Sequence, residues 1–399
     1  MKYHLLPDTQ KGSTSPKSLR RRLQRQYYAL PQWLRSLLLL AVTVIAVAAV
    51  TRHGQNERDQ AFKSEPTDFT TLNAAHPDAL WHPDHIIRHR NGTHIDDRYV
   101  FMRQLGKGSE GSAAVYLDVP TGKVVVVKTF HGILSNDIPG PLIPEFEDFG
   151  PKWPTEIEAS LLLGNQTGVD GPAYVPVRDY FILKDESTDW HWALVTPYSE
   201  AGTLEDLAQS TKFHERTPQK LDKIFRSVFE VVLQNVGSLH TLGYCHDDIK
   251  PNNMLVANTT HWLLGDLGNV RDLAHPWHST GKIKRENHWT DCKMNDVRRL
   301  LKTYMYFLRE ASGAASGFDG AFWKEEQAWS RLYWQWMQQP LAVNGTLELS
   351  RAMNSSEEME WKAEGDAVEG ACLRRKTDME LVTTTLRWRP TDFWPLRQC

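Results

Sequence analysis

Gly106-Lys107-Gly108-Ser109-Glu110-Gly111 follows the pattern G-x-G-x-x-G. Glycines at this spacing let backbone N–H groups approach an anion with no Cβ in the way. The stretch lies between two segments that read as strands, not between a strand and a helix. That context opposes a dinucleotide-binding turn and favours a β-hairpin closing over phosphates. Farther along, Lys128 ends the run Val124-Val125-Val126-Val127-Lys128. An ammonium at the end of so apolar a strand is costly unless it has partners. Two nucleotide phosphates and a carboxylate would suit it. Glu158 is the candidate carboxylate and Glu156 the alternative. Thr155 stands three residues before Glu158, so these two can instead close a capping box at a helix start.

A second polar group follows the chain's best amphipathic stretch: Tyr244-Cys245-His246-Asp247-Asp248-Ile249-Lys250-Pro251-Asn252-Asn253. Thirteen residues after Asn253, Asp266-Leu267-Gly268 follows the apolar Trp262-Leu263-Leu264. Here the chain resembles the protein kinase family, whose pattern is H-R-D-[IL]-K-P-x-N and then D-F-G. The resemblance implies that Asp248 is the catalytic carboxylate, orienting a substrate hydroxyl and accepting its proton. It implies that Lys250 neutralises charge on the transferring phosphoryl group, and that Asn253 and Asp266 hold Mg²⁺ or Mn²⁺. ATP would lie under the hairpin of Gly106, Lys107, Gly108 and Gly111, with Lys128 paired to Glu158 of the αC helix. Leu194-Val195-Thr196-Pro197-Tyr198 resembles the hinge, with Thr196 lining the back of the adenine pocket and Tyr198 beside it. Pro197 has no N–H, so adenine would rely on its carbonyl and on residue 199. Asp296 resembles the aspartate that braces the catalytic loop, and Arg389-Pro390-Thr391 the arginine motif near the domain's end.

The departures from the pattern carry information too. Asp247 replaces the arginine that in the family receives an activation-segment phosphate, which implies that such phosphorylation is not needed here. There is no A-P-E motif, and 30 residues separate Asp266 from Asp296. Cys245 abuts the catalytic loop and Cys292 the end of the activation segment. The expected disulfides are therefore Cys245 with Cys292 and Cys372 with Cys399. Lys250 argues for a protein hydroxyl as acceptor, Ser/Thr before Tyr. The alternatives are a pseudokinase acting as an interaction module, and a glycan or small-molecule kinase.

These residues need a β-rich part and a helical part to position them. Strands are expected at 99–106, 112–118, 123–129, 175–183 and 190–197. A short helix is expected from Thr155, with its hydroxyl as cap, and helices at about 218–242 and 296–308. For the second of these, Thr217 is the N-cap, Pro218 fills the first turn and Gly243 stops it. The expected fold is α+β and two-lobed, over residues 98–395. An N-lobe sheet with αC spans 98–197 and a mainly helical C-lobe 198–395, with insertions at 131–153 and 341–375.

The chain has 399 residues, is 24% charged and 41% hydrophobic, and carries a net charge of −3. This is globular composition, and it does not suggest a nucleic-acid binder. Residues 1–35 are strongly basic and read as a cytoplasmic tail. The uncharged run 36–51 reads as a transmembrane anchor, and 52–97 as a stalk. With positive charge inside, everything after the anchor is lumenal or extracellular. A cleaved signal peptide is the competing reading of the apolar run. Asn91, Asn165, Asn258, Asn344 and Asn354 head glycosylation sequons, all beyond the anchor. All four cysteines lie there as well, which suits an oxidising compartment, although four cysteines allow three pairings.

Overall fold

The computed structural model describes, a few isolated positions apart, residues 27–72, 87–131, 154–184, 190–280 and 291–338. Most of the basic tail, nearly all of the 131–153 insertion, the 341–375 insertion, Asn165, Asn344, Asn354, Cys372, Cys399 and Arg389 fall outside those residues. The chain divides into two compact units, Met1–Ser64 and Glu65–Cys399.

In the first unit the apolar run sits inside one helix, α1 (Gln32–Lys63). Its most apolar window has a mean hydropathy of 2.3 and no buried residue. The helix is long and apolar enough to cross a membrane, and at ~1.5 Å per residue it reaches about 48 Å. The hydroxyls of Thr43 and Thr51 donate to the carbonyls of Leu39 and Val47, both at 2.9 Å, so they bring no unsatisfied donor into the apolar stretch. The helix does not stop at residue 51. It continues through the charged residues 52–63, which read as stalk in the sequence.

The second unit begins with a β-rich part. Its strands are β1 (Ile87–Asn91), β2 (His94–Ile95), β3 (Tyr99–Lys107), β4 (Gly111–Asp118) and β5 (Lys123–Phe130). The small hairpin β6 (Thr167–Gly168) and β7 (Gly171–Pro172) and the strands β8 (Asp179–Lys184) and β9 (Trp190–Pro197) follow. The main sheet runs β1-β2-β3-β4-β5-β9-β8, and β1 pairs parallel with β8, so the sheet closes into a barrel. Tyr99, Tyr116, Val127, Phe181 and Val195 fill its interior.

Closure corrects the domain limits read from the sequence. Residues 87–95, assigned to the stalk, cover what would otherwise be the open edges of β3 and β8. The expected strand 175–183 is shorter for a similar reason. The Val175 N–H donates to the Leu264 carbonyl at 3.0 Å, outside the sheet, and Pro176 then breaks the run.

Helix α2 (Thr155–Leu163) lies against the sheet, with Ile157 packed among Phe130, Ile182, Trp192 and Leu194. Its N-cap is Pro154 and no side chain caps it, so Thr155 is the first helical residue and forms no capping box with Glu158. A short helix α3 (Leu204–Gln209) is closed by a capping box between Thr203 and Asp206. Helix α4 (Pro218–Thr241) starts as expected, with the Thr217 hydroxyl accepting from the Lys220 N–H. Gly243, at φ +94°, turns the chain out of it.

Four further strands pair as β10 (Tyr244–Cys245) with β13 (Arg271–Asp272) and β11 (Met254–Asn258) with β12 (His261–Leu264). Helix α5 (Cys292–Ala311) begins before the expected 296 because Asp291 caps it. Helices α6 (Ala315–Trp323) and α7 (Ala328–Gln338) follow. Phe229 of α4 stacks on Tyr304 of α5 with centroids 4.2 Å apart, within the core cluster that joins these helices.

Within the span that reads as stalk, Phe69 and Leu72 belong to this core. Phe69 and Leu72 are 3% and 2% exposed. Phe69 stacks on Tyr244, whose hydroxyl donates to the Asp68 carbonyl at 2.9 Å. Thr67 donates to the Val270 carbonyl at 2.7 Å, and the Glu65 carbonyl lies 3.1 Å from the His275 ring nitrogen Nε2. Truncating a buried phenylalanine removes transfer energy and leaves a cavity. Phe69→Ala is expected to destabilise this unit by about 3–5 kcal/mol, read as a lower urea midpoint at unchanged slope. An unchanged midpoint would contradict the packing of this segment.

Candidate active site

Lys128 sits on β5 opposite Leu194 of β9. Its ammonium contacts the Glu156 carboxylate and lies 3.2 Å from Asp266 Oδ1. Glu156, not Glu158, is therefore its helix partner. The reason is geometric: residues two apart on a helix point to different sides, and the side that carries Glu156 meets Lys128 of β5. Burial would lower the Lys128 pKa, but the charges of Glu156 and Asp266 outweigh it and hold the ammonium above its ordinary value. One cation serves two acids, and the acids divide accordingly. Burial pushes the almost wholly enclosed Glu156 up to about 7. Asp266 is held below the usual carboxylate range, because Lys128 and Lys250 overcome the burial that would raise it. Asp266 thus keeps its charge.

The hairpin of β3 and β4 carries the glycines. A Cβ on Gly106 would meet nothing within 4 Å, and one on Gly108 only the Gly111 carbonyl at 3.9 Å. These two leave open space in front of the backbone. Gly111 differs, because its Cβ would stand 2.3 Å from the Thr129 carbonyl. It is required by the tight pairing of β4 with β5. Lys107 pairs with Ser112 across the hairpin and is exposed. His131 fastens the turn: its N–H donates to the Glu110 carbonyl at 2.9 Å, and its Nε2 lies 3.1 Å from the Gly108 carbonyl. The Glu110 carboxylate comes together with those of Glu156 and Asp266.

The loop after β10 is fastened from α5. Asp296 is fully buried. Its oxygens accept the N–H of His246 at 2.7 Å and of Asp247 at 2.9 Å, and His240 Nε2 lies 3.1 Å away. A disulfide joins Cys245 to Cys292, the first residue of α5, as expected, with Cα atoms 6.0 Å apart. His246 Nε2 is 3.2 Å from the Gly265 carbonyl, which ties the loop to the strand that delivers Asp266.

Held in this way, Asp248 meets Lys250 Nζ at 2.8 Å and Asn253 Nδ2 at 3.0 Å. Asn253 Nδ2 also donates to the Asp248 carbonyl at 2.9 Å. Asp247 and Asp266 both adopt positive φ, +61° and +54°. A non-glycine residue in that region costs about 1–3 kcal/mol, so the surrounding contacts must enforce it.

The structure therefore places Asp248, Lys250 and Asn253 in one cluster and Lys128, Asp266 and Glu156 in another. Lys250 links them, since its charge acts on Asp266. Thr196 sits opposite Val126 on the neighbouring strand. Tyr198 is engaged elsewhere: its hydroxyl accepts from Arg103 at 2.7 Å, and its N–H donates to the Val124 carbonyl. Glu110 and His131 were not singled out in the sequence. A charged residue inside a glycine turn and a histidine three positions after Lys128 were the available signals.

For a divalent cation the donor set fits: Asn253 spends its NH₂ on Asp248, which leaves its amide oxygen, and the ionised Asp266 adds hard oxygen ligands. For nucleotide phosphates, the open space before Gly106 and Gly108 and the ammonium of Lys128 fit in the same sense.

No family model matches the chain. It is similar, however, to curated serine/threonine-protein kinases. It is 26% identical over 176 residues to human serine/threonine-protein kinase MRCK gamma, across 43% of this chain and 10% of that protein. It is 29% identical over 183 residues to serine/threonine-protein kinase PknL of Mycobacterium tuberculosis, across 45% of this chain and 39% of that one. For serine/threonine-protein kinase PknD of Protochlamydia amoebophila the identity is 25% over 178 residues, covering 43% and 16%. The chain thus spans less than half the length of each of these relatives. The similarities support a kinase-type enzyme with a kinase-like fold, at the level of the superfamily.

The Lys128 pairing is testable without assuming any activity. An amine-reactive probe followed by peptide mapping should label Lys128 at least about tenfold faster in Glu156→Gln, because losing the partner lowers the ammonium pKa. Glu158→Gln should leave the rate unchanged. Faster labelling in Glu158→Gln alone would reverse the assignment.

Proposed function

We propose that this chain is a membrane-anchored protein kinase. It transfers the γ-phosphoryl group of ATP to a protein hydroxyl, Ser/Thr before Tyr, in the secretory lumen or outside the cell. In this reading the barrel with α2 is the N-lobe and the helices from α3 onward are the C-lobe. The observation that carries it is the Asp248 carboxylate held by Lys250 and Asn253, with the Lys250 charge also acting on the Asp266 that pairs with Lys128.

Bound Mg²⁺ or Mn²⁺ with ATP would supply the phosphoryl group and neutralise charge on it. The protein's own part is positioning. Lys128 and the backbone around Gly106 and Gly108 would receive phosphate oxygens. Asp266 and Asn253 would hold the metal. Asp248 would orient the acceptor hydroxyl and take its proton, with Lys250 beside it to stabilise the developing charge. Glu156 holds the Lys128 ammonium between α2 and β5. The open space in front of the glycines supports nucleotide binding, whereas Pro197 and the engaged N–H of Tyr198 leave a reduced set of hinge donors.

Topology is part of the proposal. The most apolar stretch of α1 supports the anchor. The Cys245–Cys292 bridge, with both cysteines buried in the core, supports an oxidising compartment. Asn91 and Asn258 lie exposed at hairpin ends, where a glycan can be accommodated. At Asn258 the side-chain oxygen accepts from the Thr260 hydroxyl of the same sequon at 2.8 Å.

Two experiments test this reading. Purified full-length protein with Mg-ATP should phosphorylate a generic Ser/Thr substrate, and Asp248→Asn should lower the rate by about 10²- to 10⁴-fold. Equal rates would contradict the catalytic assignment. Nucleotide binding without transfer would mark a pseudokinase, and transfer to sugars alone a glycan kinase. Separately, endoglycosidase treatment should increase gel mobility, with a smaller shift in Asn258→Gln. An absent shift would return the domain to the cytosol.

A further inference from the structure

Asp247 and Asp248 are neighbours, yet their carboxylates serve different partners. Asp248 faces Lys250 and Asn253. The Asp247 carboxylate is almost wholly enclosed and meets two guanidinium groups and an imidazole. His278 Nε2 is 2.7 Å from Asp247 Oδ2, Arg271 Nη1 is 3.4 Å from the same oxygen, and Arg299 Nη1 is 3.4 Å from Oδ1. Arg271 and His278 belong to the segment that leads away from Asp266, whereas Arg299 belongs to α5.

The segment bears further ties to the same place. Arg271 pairs with Cys245 across the β10–β13 ladder and lies over the Trp277 ring at 5.5 Å. Its Nη1 also donates to the Asn269 carbonyl at 2.9 Å. A carboxylate and two guanidinium groups are expensive to bury unless they close on one another, so the cluster acts as a unit.

We propose that Asp247 is a positioning residue: through Arg271 and His278 it latches residues 270–280 onto the catalytic loop, and Arg299 anchors the latch to α5, with no phosphate required. The charge that would otherwise arrive by modification is built into the chain as a carboxylate. Removing it would leave two guanidinium groups and an imidazole facing one another, and the segment would loosen.

The latch has a titratable member. Burial alone would lower the His278 pKa, but the hydrogen bond to Asp247 and its negative charge outweigh this and raise it. Beyond its members Arg271 and Arg299, the cluster is faced by the His275 ring 6.1 Å from that of His278, by Asp296 with His240, and by the charges of Glu110 on Arg271 and Asp272 on His275. A raised imidazole pKa means the charged contact is complete below the ordinary value of about 6.5 and is lost as pH rises through the higher folded value.

That the latch serves phosphotransfer rests on the function proposed above, but the latch can be tested without it. Hydrogen–deuterium exchange on the full chain in detergent should show at least a tenfold loss of protection over 270–280 in Asp247→Asn, with α4 unchanged. Should that variant not fold, His278→Gln provides a second route. Wild-type protection factors over 270–280 should fall between pH 6 and pH 8.5, and those of His278→Gln should be flat. Phosphatase treatment should leave the wild type unaltered. Unchanged protection in Asp247→Asn, or a wild-type segment that loosens with phosphatase, would overturn the proposal. A protected wild-type segment together with no phosphotransfer would uphold the latch and count against the kinase reading alone.

Discussion

The side chain of Asp296 is the fixed point to which the loop after β10 is attached. It receives two consecutive backbone N–H groups, from His246 and Asp247, and contacts His240 at the end of α4. Hydrogen bonds to a charged partner contribute about 1.5–3 kcal/mol each, and a buried carboxylate without them would be untenable. Both sides of the interaction therefore depend on each other. The loop cannot leave without stranding the charge, and the charge cannot be buried without the loop. The Cys245–Cys292 bridge adds a covalent tie from β10 to the same helix.

With the loop fixed, the charges of the site fall into a ledger of near neighbours. Lys128 is shared by Glu156 and Asp266, Lys250 faces Asp248, and Asp247 turns away toward Arg271, His278 and Arg299. Two adjacent acids escape mutual repulsion because their side chains enter separate cation clusters. Positive φ at Asp247 belongs to the same local geometry. Among the described residues Asp96 and Glu325 share that conformation, so what sets Asp247 and Asp266 apart is the ion contacts their side chains make.

How much of this was legible from the residues alone varied with the range of the interaction. Motif order and strand patterning located β3, β4, β5 and β9, the hairpin, Lys128 and the 244–266 cluster, because each rests on local pattern. Glu158 is displaced by Glu156 as the partner of Lys128 because residues two apart on α2 point to different sides, and which side meets β5 is set by tertiary packing. Residues 67–72 and 87–95 look like linker because their partners are far away in sequence: Thr67 with Val270, Phe69 with Tyr244, Ile87 with Ile182. Asp247 read as a missing arginine. Its partners at 271, 278 and 299 could be recognised only once the chain had folded back on itself.

Calorimetric titration of ATP into the purified chain, with and without Mg²⁺ or Mn²⁺, separates nucleotide binding from phosphoryl transfer. Metal-dependent ATP binding is expected in the wild type, with retention in Asp248→Asn and loss in Asp266→Ala. Metal-independent binding, or equal binding in wild type and Asp266→Ala, would contradict that expectation.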